Sequence, residues 1–167
     1  MLERVSELLY LMAPAYAANM APPLLARYWK GWNRPISRRW LGAHKTVLGF
    51  AAGVLAAIVT AALQRALGWE GSLVDYGGWL PLGAAFGASA LAGDALKSFL
   101  KRRLHIAPGE PWIPADQLDF VLGALVVAVP WAGLGVQDVA LIVALSVAGD
   151  IAVNHAAWFL GIRTTRW

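Results

Sequence analysis

The sequence contains no cysteine. Disulfides, thiolate nucleophiles and cysteine-ligated zinc or iron–sulfur sites are therefore excluded, and only His, Asp and Glu remain as metal ligands. Charge is scarce as well: Asp, Glu, Lys and Arg make up 14% of the 167 residues, against about 25% in an ordinary soluble domain. The start of the chain lacks the purely basic region and small-residue cleavage site of a secretory signal, because Glu3, Arg4 and Glu7 intervene. The first apolar stretch is expected to stay in the mature chain. No internal repeat or low-complexity tract divides the sequence, so a single domain over 1–167 is expected, and an inverted-repeat transporter finds no support.

What the sequence has in abundance is apolar surface: 59% of residues are hydrophobic and the mean hydropathy is +0.55. Its solvent is expected to be mostly lipid. A helical span needs roughly 20 mostly apolar residues, because the hydrocarbon core is about 30 Å thick and a helix rises about 1.5 Å per residue. Stretches near Val5–Leu25, Thr46–Leu67, Trp79–Leu100, Leu118–Leu134 and Val139–Ile162 meet that requirement. The expected fold class is thus all-α, a polytopic membrane protein of five transmembrane helices.

The formal charge of +4 does not point to nucleic acid, since the basic residues lie in short stretches between apolar runs. They point to orientation, because short loops rich in Lys and Arg are retained on the cytoplasmic side. Arg27, Lys30, Arg34, Arg38, Arg39 and Lys45 follow the first span, Lys97, Lys101, Arg102 and Arg103 close the third, and Arg163 and Arg166 lie in the tail. The opposite loops hold Glu70, Asp75 and Asp138, with Arg65 just before the first of them. The N-terminus is predicted outside and the C-terminus in the cytoplasm, with cytoplasmic loops over about 27–45 and 102–117, in a multi-pass protein of the cell membrane. Tyr28, Trp29, Trp32 and Trp40 on one side, and Trp69, Tyr76 and Trp79 on the other, suit the two interfaces. Gly49 with Gly53, and Gly83 with Gly87, are small-xxx-small pairs expected to let helix backbones approach. The cytoplasmic loops are long for a compact bundle, the second running from His105 to Ala115 through Pro108, Gly109, Pro111 and Pro114, which suggests a site on that side.

Ionisable groups inside a membrane are costly and mark function by default. Asp94, Ser98 and Lys101 fall at i, i+4 and i+7, on one helix face leading to the cytoplasmic end. Asp116 and Asp119 open the fourth span three residues apart, where capping against the helix dipole competes with a site. Three carboxylates are hard oxygen ligands suited to Mg2+ shared with substrate phosphates. Lys45, Lys101, Arg102 and Arg103 would then clamp those phosphates, although anchoring to lipid headgroups explains basic helix ends equally simply. Asp150, Asn154 and His155 form a further polar group, and Asn154, like Asn19, suits interhelical hydrogen bonding as well as substrate contact. A proton- or ion-coupled transporter using Asp94, Asp150 and His155 is the competing reading, opposed by the apolar outer stretches Val54–Leu63 and Val126–Pro130.

Three blocks, taken in order, carry a resemblance. Gly42-Ala43-His44-Lys45-Thr46-Val47-Leu48-Gly49, Gly93-Asp94 followed by Ser98 and Lys101-Arg102-Arg103, and Asp116-Gln117-Leu118-Asp119-Phe120 resemble the membrane CTP-transferase superfamily. Within it, the short length and the Asp-Gln-Leu-Asp-Phe form look most like the CDP-archaeol synthase branch, over Asn19 to Phe120. The sequence departs from the phosphatidate cytidylyltransferases in having Gln117 where they carry Arg, and in lacking their His-Gly-Gly before the acidic pair. Those departures bear on the lipid more than on CTP.

The resemblance implies transfer of CMP from CTP to 2,3-bis-O-geranylgeranylglycerol 1-phosphate, an isoprenoid lipid held in the bilayer, with loss of pyrophosphate at a site facing the cytoplasm. It implies Asp94, Asp116 and Asp119 as ligands of Mg2+, with Ser98 and Lys101 beside them in the catalytic group. Lys45, Thr46, Lys101, Arg102, Arg103 and Gln117 would meet the nucleotide, and Asn19, His44, Asn154 and His155 are candidates for the lipid headgroup.

Overall fold

The computed structural model describes residues 1–29, 31–107 and 110–159, together with the backbone but not the side chain of Ala157. Lys30, Pro108, Gly109, Arg163, Arg166 and the Ile162 end of the fifth expected span lie outside the described residues. Five long helices make up the chain: α1 Leu2–Tyr28, α2 Val47–Leu67, α3 Trp79–Arg103, α4 Ala115–Ala132 and α5 Val136–Phe159, with a 3₁₀ turn Tyr76–Gly78 leading into α3. Among the described residues the only β pairing is a one-residue antiparallel bridge between Pro35 and Thr46. Three of the helices contain segments long and apolar enough to cross a membrane, Val47–Leu67, Ala115–Ala132 and Val136–Ala156. In α3 the polar face from Asp94 to Arg103 dilutes the apolar character; α1 carries Glu3, Arg4, Glu7 and Arg27 at its ends and Pro14, Pro22 and Pro23 within.

The helix ends follow from local chemistry. Thr46 caps α2, its hydroxyl accepting from the Gly49 N–H at 3.1 Å. Gly68 and Gly133 end α2 and α4 in the left-handed region, at φ 58° and 61°, where a side chain would be strained.

Glycines set the spacing between helices. α2 and α3 pack where a Cβ on Gly83 would stand 2.6 Å from the Ile58 Cα, and one on Gly87 2.9 Å from the Val54 Cα. α3 and α4 meet at Gly93 and Gly123, where an added Cβ would run into the carbonyls of Asp119 and Ser89 respectively. Both expected glycine pairs thus lie at packed helix surfaces, but the contact nearest the carboxylates is this unanticipated one, made by one glycine from each helix. Lipid supplies no hydrophobic drive between helices, so backbone approach of this kind is what holds them. The buried core, around Leu8, Leu11, Met12, Ala57, Phe86, Val121 and Ile142, sits among α1, α2, α3, α4 and one face of α5. Leu55, Val59 and Leu63 on α2 and Leu122 and Val126 on α4 point outward, as lipid-facing positions should.

Candidate active site

Antiparallel packing of successive helices brings the end of α3, the start of α4 and the start of α2 to one end of the bundle. Lys45 precedes α2 at the neck of a loop, held by backbone hydrogen bonds from Ile36 N to Lys45 O at 2.8 Å and from Val47 N to Arg34 O at 2.9 Å. From there its ammonium pairs with Asp94 Oδ2.

The Gly93–Gly123 contact draws α3 and α4 close enough for their carboxylates to share one partner. That partner is Lys97. Its Nζ lies 3.3 Å from Asp94 Oδ1, 3.1 Å from Asp116 Oδ1 and 2.5 Å from Asp119 Oδ2. Lys101, one turn on, sits 3.2 Å and 3.1 Å from the two oxygens of Asp116 and donates to the Glu110 carbonyl at 2.5 Å. Asp116 also accepts from the Trp112 N–H at 2.6 Å, and Asp119 from the Phe120 N–H at 2.5 Å. Three ammoniums thus face three carboxylates, on side chains that are all largely buried. Burial of charge on this scale is sustained only by mutual pairing.

The structure brings together Lys45, Asp94, Lys101, Asp116 and Asp119 as expected, with different pairings. Asp116 does not cap α4, since Pro114 holds that position, and Lys101 pairs with Asp116 rather than with Asp94 on its own helix. Ser98 donates to the Asp94 backbone carbonyl at 2.9 Å. Among the described residues, the buried Gln117 side-chain carbonyl and the buried Arg102 Nε have no hydrogen-bond partner. Arg102 and Arg103 line a cleft with Arg39, Trp40 and Phe99. There the two rings stack at 5.6 Å and the Arg103 guanidinium lies 4.4 Å above the Trp40 ring, a cation–π geometry. His44 is exposed and Asn19 half-buried, and among the described residues neither hydrogen-bonds to the three carboxylates. Asn154 donates to Asp150 at 3.0 Å, and His155 pairs with the Ile151 carbonyl at 2.8 Å, both within α5.

Sequence reasoning grouped Lys97 with the basic residues that set orientation and missed its central place. The signal was available: Lys97 is three residues from Asp94, as much a helical neighbour as the i+4 position occupied by Ser98.

As donors, three Asp oxygens gathered around one cation match the hard-ligand preference of a divalent ion. They stand at ammonium distances, not at the about 2.0–2.1 Å of a magnesium shell, and among the described residues no three acidic or His side chains form a ready-made cage. The donor chemistry fits such an ion; the present spacing suits an ammonium.

The family model described as "CarS-like: CDP-archaeol synthase" matches residues 1–167. The CDP-archaeol synthase of Aeropyrum pernix is 35% identical over 99% of this chain and 94% of its own length. That of Thermofilum pendens is 34% identical over 92% and 77%, and that of Methanospirillum hungatei 35% over 93% and 100%. A solved structure described as "Structural insight into an intramembrane enzyme for archaeal membrane lipids biosynthesis" superposes with a TM-score of 0.68 at 32% identity, covering 90% of this chain and 94% of that one. These likenesses span the whole bundle and lend nothing to the transporter reading. The chain belongs to the CDP-archaeol synthase family, and it is a CTP-dependent cytidylyltransferase of archaeal membrane lipid biosynthesis.

Proposed function

We propose that the chain transfers CMP from CTP to 2,3-bis-O-geranylgeranylglycerol 1-phosphate at the cluster formed by Asp94, Lys97, Asp116 and Asp119, with Lys45 and Lys101 at its edges. The observation that carries this reading is the convergence of carboxylates from α3 and α4 with three ammoniums at one end of an apolar bundle. Five spans are proposed, with that end facing the cytoplasm, where CTP is found. The remaining basic loop residues on the same side support the orientation. The lipid chains would stay between helices, and the phosphate headgroup would meet the nucleotide at the membrane edge.

The lipid phosphate needs no protein base: its second pKa is about 6, so it is largely dianionic near neutral pH. One of its oxygens forms a bond to the α-phosphorus of CTP as the bond from that phosphorus to the bridging oxygen of pyrophosphate breaks. Catalysis therefore rests on position and charge. Lys45, Lys101 and Arg102 offset the charge that grows on the departing pyrophosphate. Arg39, Trp40, Phe99 and Arg103 offer a cationic and aromatic cleft on the nucleotide's side of the cluster. Asp94, Asp116 and Asp119 would hold Mg2+, which neutralises phosphate oxygens when bound. The buried Gln117 amide, whose carbonyl has no partner among the described residues, is available to a substrate hydrogen-bond donor.

The test is purified protein given labelled CTP with either the ether-linked isoprenoid phosphate or diacyl phosphatidate. A CDP-lipid formed from the ether substrate, lost in chelator and restored by magnesium, is the expected result. Equal use of both lipids would remove the substrate assignment, and full turnover in chelator would remove the metal.

A further inference from the structure

Lys97 has an unusual position for a phosphate-binding lysine. Its ammonium sits against one oxygen from each of Asp94, Asp116 and Asp119, the oxygens that the proposed metal would need. The flanking lysines are placed differently. Lys45 takes the outer oxygen of Asp94, and Lys101 spans both oxygens of Asp116 while also held by the Glu110 carbonyl. Asp119, the most buried of the three carboxylates, has Lys97 as its only ammonium partner among the described residues.

We infer that Lys97 is a built-in counter-ion whose ammonium competes with a divalent cation for Asp94, Asp116 and Asp119, and that it turns toward the triphosphate as the cation takes those oxygens. The inference rests on the proposed metal reading and extends it to a role for a residue with no direct contact to a metal.

Three physical points support it. First, the cluster is charge-balanced as it stands, three ammoniums against three carboxylates, so a dication added with Lys97 in place leaves the group strongly positive. Second, the lone pairs that would coordinate an ion are those accepting from the ammonium, and a compact cation cannot share them at both distances. Third, a lysine stem of four carbons can re-aim its ammonium by rotamer changes with the α3 backbone fixed. Once displaced, the half-buried Lys97 ammonium requires a new anion, and a bound triphosphate supplies one. Cation and nucleotide should therefore bind cooperatively, each making room for the other through this side chain.

The probe is Mn2+ titrated by electron paramagnetic resonance into the full-length chain in detergent, alone and with CTP. Lys97→Met is expected to bind Mn2+ alone about tenfold more tightly than wild type, because the competing charge is gone. CTP should tighten Mn2+ binding clearly in wild type and much less in Lys97→Met. Lys97→Arg, which keeps the charge, should stay close to wild type for Mn2+ alone. Unchanged or weaker Mn2+ binding by Lys97→Met, with a saturable wild-type site abolished by Asp119→Asn, would overturn the counter-ion role and leave the metal reading intact. No saturable site in any variant, with or without CTP, would sink both. Should Lys97→Met fail to fold, wild type alone decides the matter. Reductive methylation of the Lys97 amine, followed by mass spectrometry, should rise when saturating Mn2+ alone displaces the amine and fall again when CTP joins it, and a flat response to saturating Mn2+ overturns the inference.

Discussion

The two ends of this bundle both tie helices together with ion pairs, but with different chemistry. At one end Arg4 of α1 reaches the start of α5, where Nε and Nη2 grip both oxygens of Asp138 at 2.8 Å while Nη1 holds Glu7 at 2.8 Å. Hydrogen bonds to Asp138 and then to Glu7 hold the Arg4 guanidinium more firmly protonated than an ordinary arginine. At the other end, lysines meet the carboxylates. An arginine fork matches one carboxylate and fixes its geometry, whereas an ammonium is a point charge that can be exchanged for another cation. The first arrangement is a clamp joining α1 to the loosely packed α5. The second is a charge store that can open. Arg4 is also 39% exposed at its side chain, so its pair is screened by solvent, while the lysine cluster is shielded.

Substitutions at the two ends should separate activity from stability. The largest effect is expected for Asp94→Asn, Asp116→Asn and Asp119→Asn, each lowering CTP-dependent lipid conversion by about 100-fold or more while the protein still elutes as a single folded species in detergent. Near-normal turnover in all three would dissolve the distinction between the two ends. An intermediate effect is expected for Gly123→Ala. Its methyl meets the Ser89 carbonyl, so overpacking should cost about 1–3 kcal/mol in thermal or denaturant unfolding and lower activity by parting α3 from α4. The smallest is expected for Asp138→Asn: a loss of no more than about 1 kcal/mol, fading at high salt, with turnover retained. A collapse of activity in Asp138→Asn would mean that the clamp end takes part in the reaction.

Much of this architecture was legible from composition and spacing. The described helices agree with the apolar runs to within a few residues, because a long apolar helix satisfies its backbone within itself whatever its neighbours do, and the Ile162 end of the fifth run lies outside the described residues. Asp94, Asp116, Asp119, Lys45 and Lys101 were also legible as a group, since charge in such surroundings is rare. Their partners were not. Spacing put Asp94, Ser98 and Lys101 on one face, yet Ser98 bonds to its own helix and Lys101 to the next one. Lys97 was hidden by an expectation that basic residues at helix ends serve the membrane interface. The Arg4–Asp138 clamp was equally hidden, because 134 positions separate its members.

The number of helices and the end that gathers the positive charge were readable from the chain alone, because hydropathy and charge act on each segment separately. That Lys97 meets all three carboxylates at once emerges only in the folded bundle. That meeting depends on how far α3 and α4 approach and turn at Gly93 and Gly123. Rotation of one helix against another is set by packing across the contact, a relation no single segment contains.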